Sequence, residues 1–151
     1  MKIELKNVKH SEFASHETDC FQASVYIDGK KAGTVQNDGH GGCNYYEPWE
    51  LADTLNEYAN TLPPVRYEYN GEEKTIPEEA DTVIGNLLNQ HLRLKRQKSL
   101  CKGKTVYRIP GHDYKDDEWH IIKKPFDPTL RMYLVGRYGA GIRFLNDQVG
   151  A

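Results

Sequence analysis

The sequence has little cysteine and no long apolar run. Its three cysteines lie far apart among 151 residues, without a Cys-x-x-Cys pair, whereas a secreted disulfide framework normally has an even number. Free thiols in a reducing cytosol are therefore expected. No stretch approaches the roughly 18 apolar residues of a membrane span, and the first ten residues lack the apolar core of a secretory signal. These absences predict a cytoplasmic protein without membrane contact.

Neither sign of charge predominates along the chain. Twenty Lys and Arg residues stand against 22 Asp and Glu, which leaves a formal net charge of -2. This balance excludes a polycation that coats nucleic acid over its whole surface, although it allows a local basic patch. The length predicts a single domain over residues 1–151, and 38% hydrophobic residues suffice for one core.

The hydrophobic pattern predicts an α+β fold. Alternating or β-rich runs indicate strands at residues 2–8, 20–27, 32–35, 105–109, 119–122 and 142–145. Apolar residues at helical spacing indicate helices that begin at Glu47-Pro48, at a Thr75–Glu78 capping box and at Asp127-Pro128. The second helix should end near Lys95–Lys98. We therefore expect a mostly antiparallel sheet of about six strands with two or three helices on one face.

Shorter signals refine this expectation. Asp28-Gly29 predicts a tight hairpin turn between the second and third strands. Residues 65–74 surround Asn70-Gly71 and indicate a surface excursion or a small hairpin. Trp49 belongs to the apolar stripe predicted for the first helix.

A glycine-rich loop is the first candidate ligand site. Gly39, Gly41 and Gly42 occupy three of four consecutive positions, with His40 between them. Consecutive N–H groups in such a loop can form a nest that binds an anion, and His40 could add a proton donor. The loop matches neither the Walker pattern nor the dinucleotide pattern. The alternative is a wide turn that leaves the hairpin.

Aromatic residues directly follow this loop. Tyr45, Tyr46 and Trp49 could stack on a nucleobase or another planar group. They could equally fold inward as the start of the buried helix face. The candidate ligand site includes Tyr45 and Tyr46.

A basic segment is the second candidate ligand site. It contains seven cations and no acid: Arg93, Lys95, Arg96, Lys98, Lys102, Lys104 and Arg108. On a chain of nearly neutral charge, such a segment would attract the phosphates of a nucleotide or a nucleic acid. The alternative is a solvated helix end whose cations pair with the acidic stretch from Glu68 to Asp81.

Metal ligation and catalysis have weaker signals. Four residues could supply zinc ligands, without the spacing of a zinc finger: His16, Cys20, His40 and Cys43. A second group could bind a divalent ion in a hydrolase: His112, Asp113, Asp116, Asp117 and His120. Lysines on both sides of Cys101 would lower the pKa of its thiol. Since no complete catalytic arrangement is recognisable, a non-enzymatic protein without metal or cofactor is expected.

Five segments carry a resemblance to known sequences. They are Ile3–Val8, Phe13–Ser15 with Glu17-Thr18, Tyr26–Lys30, Asn37–Gly42 and Leu145–Asp147. The chain resembles, mainly over its N-terminal third, a group of short hypothetical proteins of bacteriophages and other mobile elements of bacteria. The group has no assigned activity, so the resemblance implies no functional residues. It implies a context in which small accessory proteins act by binding, including the inhibition of host defence.

Together these features favour a binding protein that blocks a phosphate-bearing target. The target would be a nucleotide signal or a defence complex that handles nucleic acid. One alternative is a metal-assisted hydrolase that acts on a nucleotide or phosphodiester. Another is an inhibitor that binds a host defence protein through the acidic stretch 68–81. Homo-oligomers are common among soluble proteins, and the sequence leaves the stoichiometry open.

Overall fold

The computed structural model describes residues 1–150 and confirms the α+β class. These residues form nine strands and four helices, and the strands pair antiparallel in three separate sheets of four, two and three strands. Contacts group the chain into two compact units, Met1–Gln90 and a second that begins at His91. We call them the N-terminal and C-terminal units. The single domain predicted from chain length stays a prediction.

A four-stranded antiparallel meander forms the sheet of the N-terminal unit. Its strands pair in chain order: β1 (Ile3–Ser11), β2 (Cys20–Ile27), β3 (Lys30–Asp38) and β4 (Tyr45–Glu47). The predicted turn is confirmed, since Ile27 pairs with Lys30 around Asp28-Gly29. The short β4 was not predicted, because aromatic residues directly after a glycine-rich loop give no alternating pattern.

Two helices and a second hairpin complete this unit. Helix α1 spans Glu50–Asn60 and buries Leu51, Leu55 and Ala59 on one side. Strands β5 (Val65–Tyr69) and β6 (Glu72–Ile76) form the small hairpin that the Asn70-Gly71 turn predicted. Helix α2 (Ala80–Cys101) begins in the N-terminal unit.

Three predictions about residues at the helix starts are wrong. The first helix does not begin at Glu47-Pro48, because Glu47 belongs to β4 and α1 begins at Glu50. Thr75 and Ile76 do not form a capping box, because they pair with β5 as part of β6. Helix α2 begins at Ala80 instead, where the Ala80 N–H donates a hydrogen bond to Asn56 Oδ1 at 2.8 Å. Trp49 does not join the buried stripe of α1, because it is the N-cap residue and is 69% exposed.

The C-terminal unit contains the end of α2 and a three-stranded sheet. Strand β7 (Thr105–Arg108) lies between β8 (His120–Ile122) and β9 (Arg143–Phe144). This confirms the predicted pairing of 105–109 with 119–122. The predicted last strand is shorter than expected, because helix α4 (Leu145–Val149) begins directly after Phe144.

Helix α3 (Pro128–Tyr138) has the predicted ends. Asp127 Oδ1 accepts a hydrogen bond from the Leu130 N–H at 2.7 Å, and Gly139 follows the last helical residue. Two clusters of buried residues form the core of the unit: Cys101, Val106, Leu145 and Val149, then Tyr107, Leu134, Ile142 and Phe144.

None of the four helices in residues 1–150 combines the length and the apolar character needed to cross a bilayer.

Candidate functional site

The glycine-rich loop is closed against the segment that precedes β2. The Gly39 carbonyl oxygen accepts hydrogen bonds from the N–H groups of His16 and Glu17, each at 3.0 Å. Gly39 is buried with φ at 87°, and a Cβ there would run into the Ala14 carbonyl oxygen. A side chain is therefore excluded at this position both by backbone conformation and by space.

Three N–H groups of this loop already have partners within the protein. The Gly39 N–H donates to Asn37 Oδ1 at 2.9 Å, and the His40 N–H donates to Asp38 Oδ1 at 3.1 Å. The Gly41 N–H donates to Thr18 Oγ1 at 3.3 Å. An anion would have to displace these contacts. The geometry therefore favours the wide-turn alternative over an anion nest.

The aromatic residues near the loop have different environments. Tyr45 is 63% exposed, whereas Tyr46 is only 7% exposed and donates its hydroxyl hydrogen to Asp81 Oδ1 at 2.6 Å. Burial, followed by this hydrogen bond, raises the pKa of Tyr46. The His40 ring stacks on the His16 ring, with 5.2 Å between their centres. Of the two tyrosines, only Tyr45 presents its ring to solvent.

A cavity of the N-terminal unit adjoins this loop. It has a volume of about 610 Å³, and Gly41, Cys43 and Tyr45 line it together with residues of β1, β2 and β3. Cys20 lies on its wall, and so does His10, whose Nε2 is 3.0 Å from Asp19 Oδ1. The lining mixes polar and apolar groups and contains a single lysine, Lys9. It does not concentrate positive charge.

The two predicted sets of metal ligands do not assemble. Among residues 1–150, no three His, Cys, Asp or Glu side chains converge in a way that could hold a metal ion. In the second set, His120 Nε2 instead lies 3.0 Å from the Tyr114 hydroxyl, and its ring stacks on Tyr107. The Asp116 carbonyl oxygen accepts a hydrogen bond from Arg108. This loop therefore makes structural contacts in the C-terminal unit.

The two units carry opposite net charges. The N-terminal unit has seven Lys and Arg against sixteen Asp and Glu, a net charge of -9. The C-terminal unit has thirteen Lys and Arg against six Asp and Glu, a net charge of +7. The near-neutral total thus conceals a strongly basic unit, which is where a phosphate-bearing ligand would be attracted.

Five cations of the basic segment stand free in solvent. Exposed side chains belong to Arg93, Lys95, Arg96, Lys98 and Lys102. Within residues 1–150, none of them has a carboxylate oxygen within the 4.0 Å of an ion pair. The segment therefore presents unpaired positive charge on the surface of the C-terminal unit.

These cations lie on two sides of α2. Lys95, Lys98 and Lys102 follow one another at intervals of three and four residues, so they lie along one side, which we call the lysine face. Leu94, 41% exposed, lies beside them. Arg93 and Arg96 lie on another side, where they line a cavity.

This smaller cavity of about 270 Å³ belongs wholly to the C-terminal unit. Its walls are Arg93, Arg96, Gln97 and Leu100 of α2, together with Asp117 and Trp119. Trp119 also packs against the buried cluster that contains Cys101 and Val106. Its position is therefore set by the core, whereas the arginines reach out from the helix.

The last two cations of the predicted segment are only partly exposed. The Arg108 guanidinium lies 3.9 Å from the centre of the Trp119 ring and donates to the carbonyl oxygens of Lys115, Asp116 and Glu118. Lys104 is half-buried, and its carbonyl oxygen accepts a hydrogen bond from Asn146. The free part of the basic segment is thus 93–102.

The prediction that lysines lower the pKa of Cys101 is wrong. Cys101 is 3% exposed, and burial raises the pKa of its thiol. The cations beside it in sequence point into solvent, where water screens their effect.

Sequence reasoning missed the residues that join the arginines at the smaller cavity. Gln97 and Leu100 follow Arg93 and Arg96 at helical spacing, so a helical projection could have placed them together. No local signal could have added Trp119, because the pairing of β7 with β8 brings it there.

No family model, curated protein or solved structure matches this chain.

Proposed function

We propose that this chain is a non-enzymatic binding protein that holds the phosphates of a nucleic acid on the free basic segment 93–102. The observation that carries the proposal is the set of five exposed cations without a carboxylate partner, on a unit of net charge +7. Unpaired cations can neutralise phosphates without first breaking an ion pair. Each contact also releases a counterion condensed on the nucleic acid, which favours binding.

The spread of these charges favours a nucleic acid over a single nucleotide. Arg93 and Lys102 are nine residues apart, which corresponds to about 13 Å along a helix. They also point to different sides of α2. One nucleotide cannot reach all five cations, whereas successive phosphates of a strand can follow them. The charges act by attraction alone, so binding requires no catalytic group.

The smaller cavity supports a nucleotide as second candidate ligand. Arg93 and Arg96 stand at one wall, where their planar guanidinium groups can contact a phosphate with two hydrogen bonds. Leu100 and Trp119 supply apolar area for a base, and the Gln97 amide can hydrogen-bond to it. A nucleotide that binds here would use the arginines and leave the lysine face free.

The resemblance to phage proteins supports a biological role for this binding. We propose that the protein acts in the host cytoplasm and blocks a defence component that carries or recognises phosphates. A phage-protection assay tests this role, because loss of binding should restore host defence. Full protection by a variant that no longer binds any phosphate ligand would overturn it.

Salt-dependent binding tests the nucleic-acid proposal. We expect the full chain to bind short single-stranded and duplex oligonucleotides, with an affinity that falls steeply between about 50 and 200 mM salt. For duplex DNA and five phosphate contacts, the slope of log affinity against log salt should be about -4.5. Replacement of Lys95, Lys98 and Lys102 by Gln should reduce the magnitude of this slope by about 2.7, because each phosphate contact contributes about 0.9.

A matched control removes lysines from the N-terminal unit. Lys30→Gln with Lys31→Gln also removes exposed positive charge, at the turn between β2 and β3, and should leave the slope unchanged. Arg93→Gln with Arg96→Gln distinguishes the two ligands. For a nucleotide in the cavity this pair should abolish binding, whereas for a strand it should only weaken it. No binding of any oligonucleotide at low salt contradicts the nucleic-acid proposal.

A further inference from the structure

The hairpin of β5 and β6 stands without a partner in the structure. All ten of its strand residues are exposed, and its two strands pair only with each other. A two-stranded hairpin is marginally stable by itself in water, and its outer edges present unpaired backbone groups. Such an element is stabilised when another surface covers it.

One face of the hairpin combines four apolar side chains with two charged ones. Val65, Tyr67 and Tyr69 alternate along β5 and point to the same side, and Ile76 lies directly opposite Val65. Lys74 and Glu72 lie opposite Tyr67 and Tyr69 on this face, and Lys74 Nζ is 4.9 Å from the centre of the Tyr69 ring. The four apolar side chains are between 40% and 56% exposed. Contiguous apolar exposure of this kind is typical of a contact surface.

The other face of the hairpin is acidic and internally repulsive. Glu68 pairs directly with Glu73 across the two strands, and like charges in this position destabilise a hairpin. Arg66 is the cation of this face and lies 3.5 Å from Glu73. Glu68 has no ion pair within residues 1–150. A cationic partner would relieve the repulsion. Glu68, Glu72 and Glu73 all lie next to the turn at Asn70-Gly71, together with the exposed Tyr69, so the turn end of the hairpin fits a surface that is both basic and partly apolar.

The lysine face of α2 has these two properties. Lys95, Lys98 and Lys102 are exposed without carboxylate partners, and Leu94 offers an apolar side chain beside them. It belongs to a unit of net charge +7, whereas the hairpin belongs to a unit of net charge -9. Two copies of the chain are therefore electrostatically complementary in a head-to-tail arrangement.

We propose that the hairpin of one copy docks on the lysine face of a second copy. The inference goes beyond the proposed function and does not require nucleic acid to bind. The contact is heterologous, because different surfaces of the two copies meet, and it leads to rings or open chains. Since phosphates would use the same lysines, a nucleic acid and a second copy exclude each other there. Nucleic acid would then release the protein from its self-associated form.

Sedimentation velocity of nuclease-treated full-length protein tests the self-association. We expect concentration-dependent association at low salt that weakens as salt is added, because exposed ion pairs are screened. A monomer at all concentrations overturns the proposal. Association that strengthens with salt also overturns it, because that behaviour indicates an apolar contact without charge pairing.

A charge swap identifies the two surfaces. The hairpin variant carries Glu68→Lys, Glu72→Lys and Glu73→Lys, and the helix variant carries Lys95→Glu, Lys98→Glu and Lys102→Glu. Each variant alone should associate at least about tenfold more weakly, because its two surfaces then have the same sign. A mixture of the two should associate again, since opposite charges face each other. Failure of the mixture, or undiminished association of either variant alone, overturns the proposal.

Two further measurements separate loss of docking from loss of folding. Tyr67→Ser with Tyr69→Ser keeps every charge and should also weaken association, whereas Lys30→Glu with Lys31→Glu should not. Circular dichroism should be unchanged, because the hairpin residues are exposed. The hairpin variant should still bind oligonucleotides if the proposed function is correct. If it binds oligonucleotides and the native chain does not associate, only the docking proposal fails.

Discussion

The hydroxyl group of Tyr46 donates a hydrogen bond to Asp81 Oδ1 at 2.6 Å, and this contact ties β4 to the first turn of α2. The second carboxylate oxygen of Asp81 accepts a hydrogen bond from the Asn44 N–H at 3.1 Å. Tyr46, which the sequence suggested as a stacking surface for a ligand, therefore stabilises the N-terminal unit instead. Its neighbour Tyr45 keeps an exposed ring.

Tyr46→Phe should destabilise the N-terminal unit by about 1–2 kcal/mol, because Asp81 loses a hydrogen-bond donor. Folding raises the pKa of Tyr46, so its contribution is complete below the usual tyrosine pKa of about 10 and decreases as the pH rises further. Urea unfolding at neutral and alkaline pH measures both effects. The difference between the native chain and the variant should shrink above pH about 10. A constant difference would contradict the assigned hydrogen bond.

Gly39→Ala should destabilise the N-terminal unit by roughly 3 kcal/mol or more. The added Cβ would overlap the Ala14 carbonyl oxygen, and the alanine would have to adopt a positive φ. Gly42→Ala is the matched control. Gly42 has a similar φ of 82°, but no atom lies within 4 Å of the added Cβ, so roughly 1–2 kcal/mol is expected. Thermal unfolding of both variants measures the difference. Equal losses would show that the loop is not packed against the segment before β2.

Asn146→Ala should destabilise the C-terminal unit by roughly 2–4 kcal/mol. Asn146 is 1% exposed, accepts a hydrogen bond from the Val106 N–H and donates one to the Lys104 carbonyl oxygen. The variant leaves both backbone groups without partners. Gln148→Ala changes an exposed residue of the same helix and should cost less than about 0.5 kcal/mol. Denaturant unfolding compares them, and a small effect of Asn146→Ala would contradict the buried bridge.

The three thiols should react with a maleimide reagent at different rates. Cys43 is exposed and should react first, while Cys101 should react only after the C-terminal unit unfolds. Burial both blocks the Cys101 sulfur and raises its pKa, so little thiolate is present at neutral pH. Mass spectrometry of a labelling time course gives the order. Fast labelling of Cys101 in the folded chain would exclude its place in the core.

Local signals predicted much of the secondary structure. The turn at Asp28-Gly29, the N-cap Asp127 and the Asn70-Gly71 hairpin depend on neighbouring residues alone, and all three are confirmed. The capping box at Thr75 failed because two local signals compete for the same residues. Thr75 and Ile76 pair with β5 in the Asn70-Gly71 hairpin, and this strand pairing prevails over the helix cap.

The candidate ligand sites also combine features that are visible in the sequence with features that only the fold decides. The basic run from Arg93 was visible in the sequence, because charge needs no folding to be counted. Only the fold shows which of its cations lack a carboxylate partner. It also shows that Thr18, 23 residues from Gly41, accepts a hydrogen bond from the Gly41 N–H, and that the N–H groups of His16 and Glu17 donate to the Gly39 carbonyl oxygen.

Residue order alone determined the α+β class, the main turns and the presence of a cationic segment, because these follow from periodicity, glycine placement and side-chain type. Only the tertiary structure decided that Tyr46 and Arg108 have structural contacts, that Trp119 meets two arginines at a cavity, and that opposite charge separates into two units. Each of these facts depends on which distant side chains are brought within a few ångströms, and burial and hydrogen bonding then decide which groups stay free for a ligand.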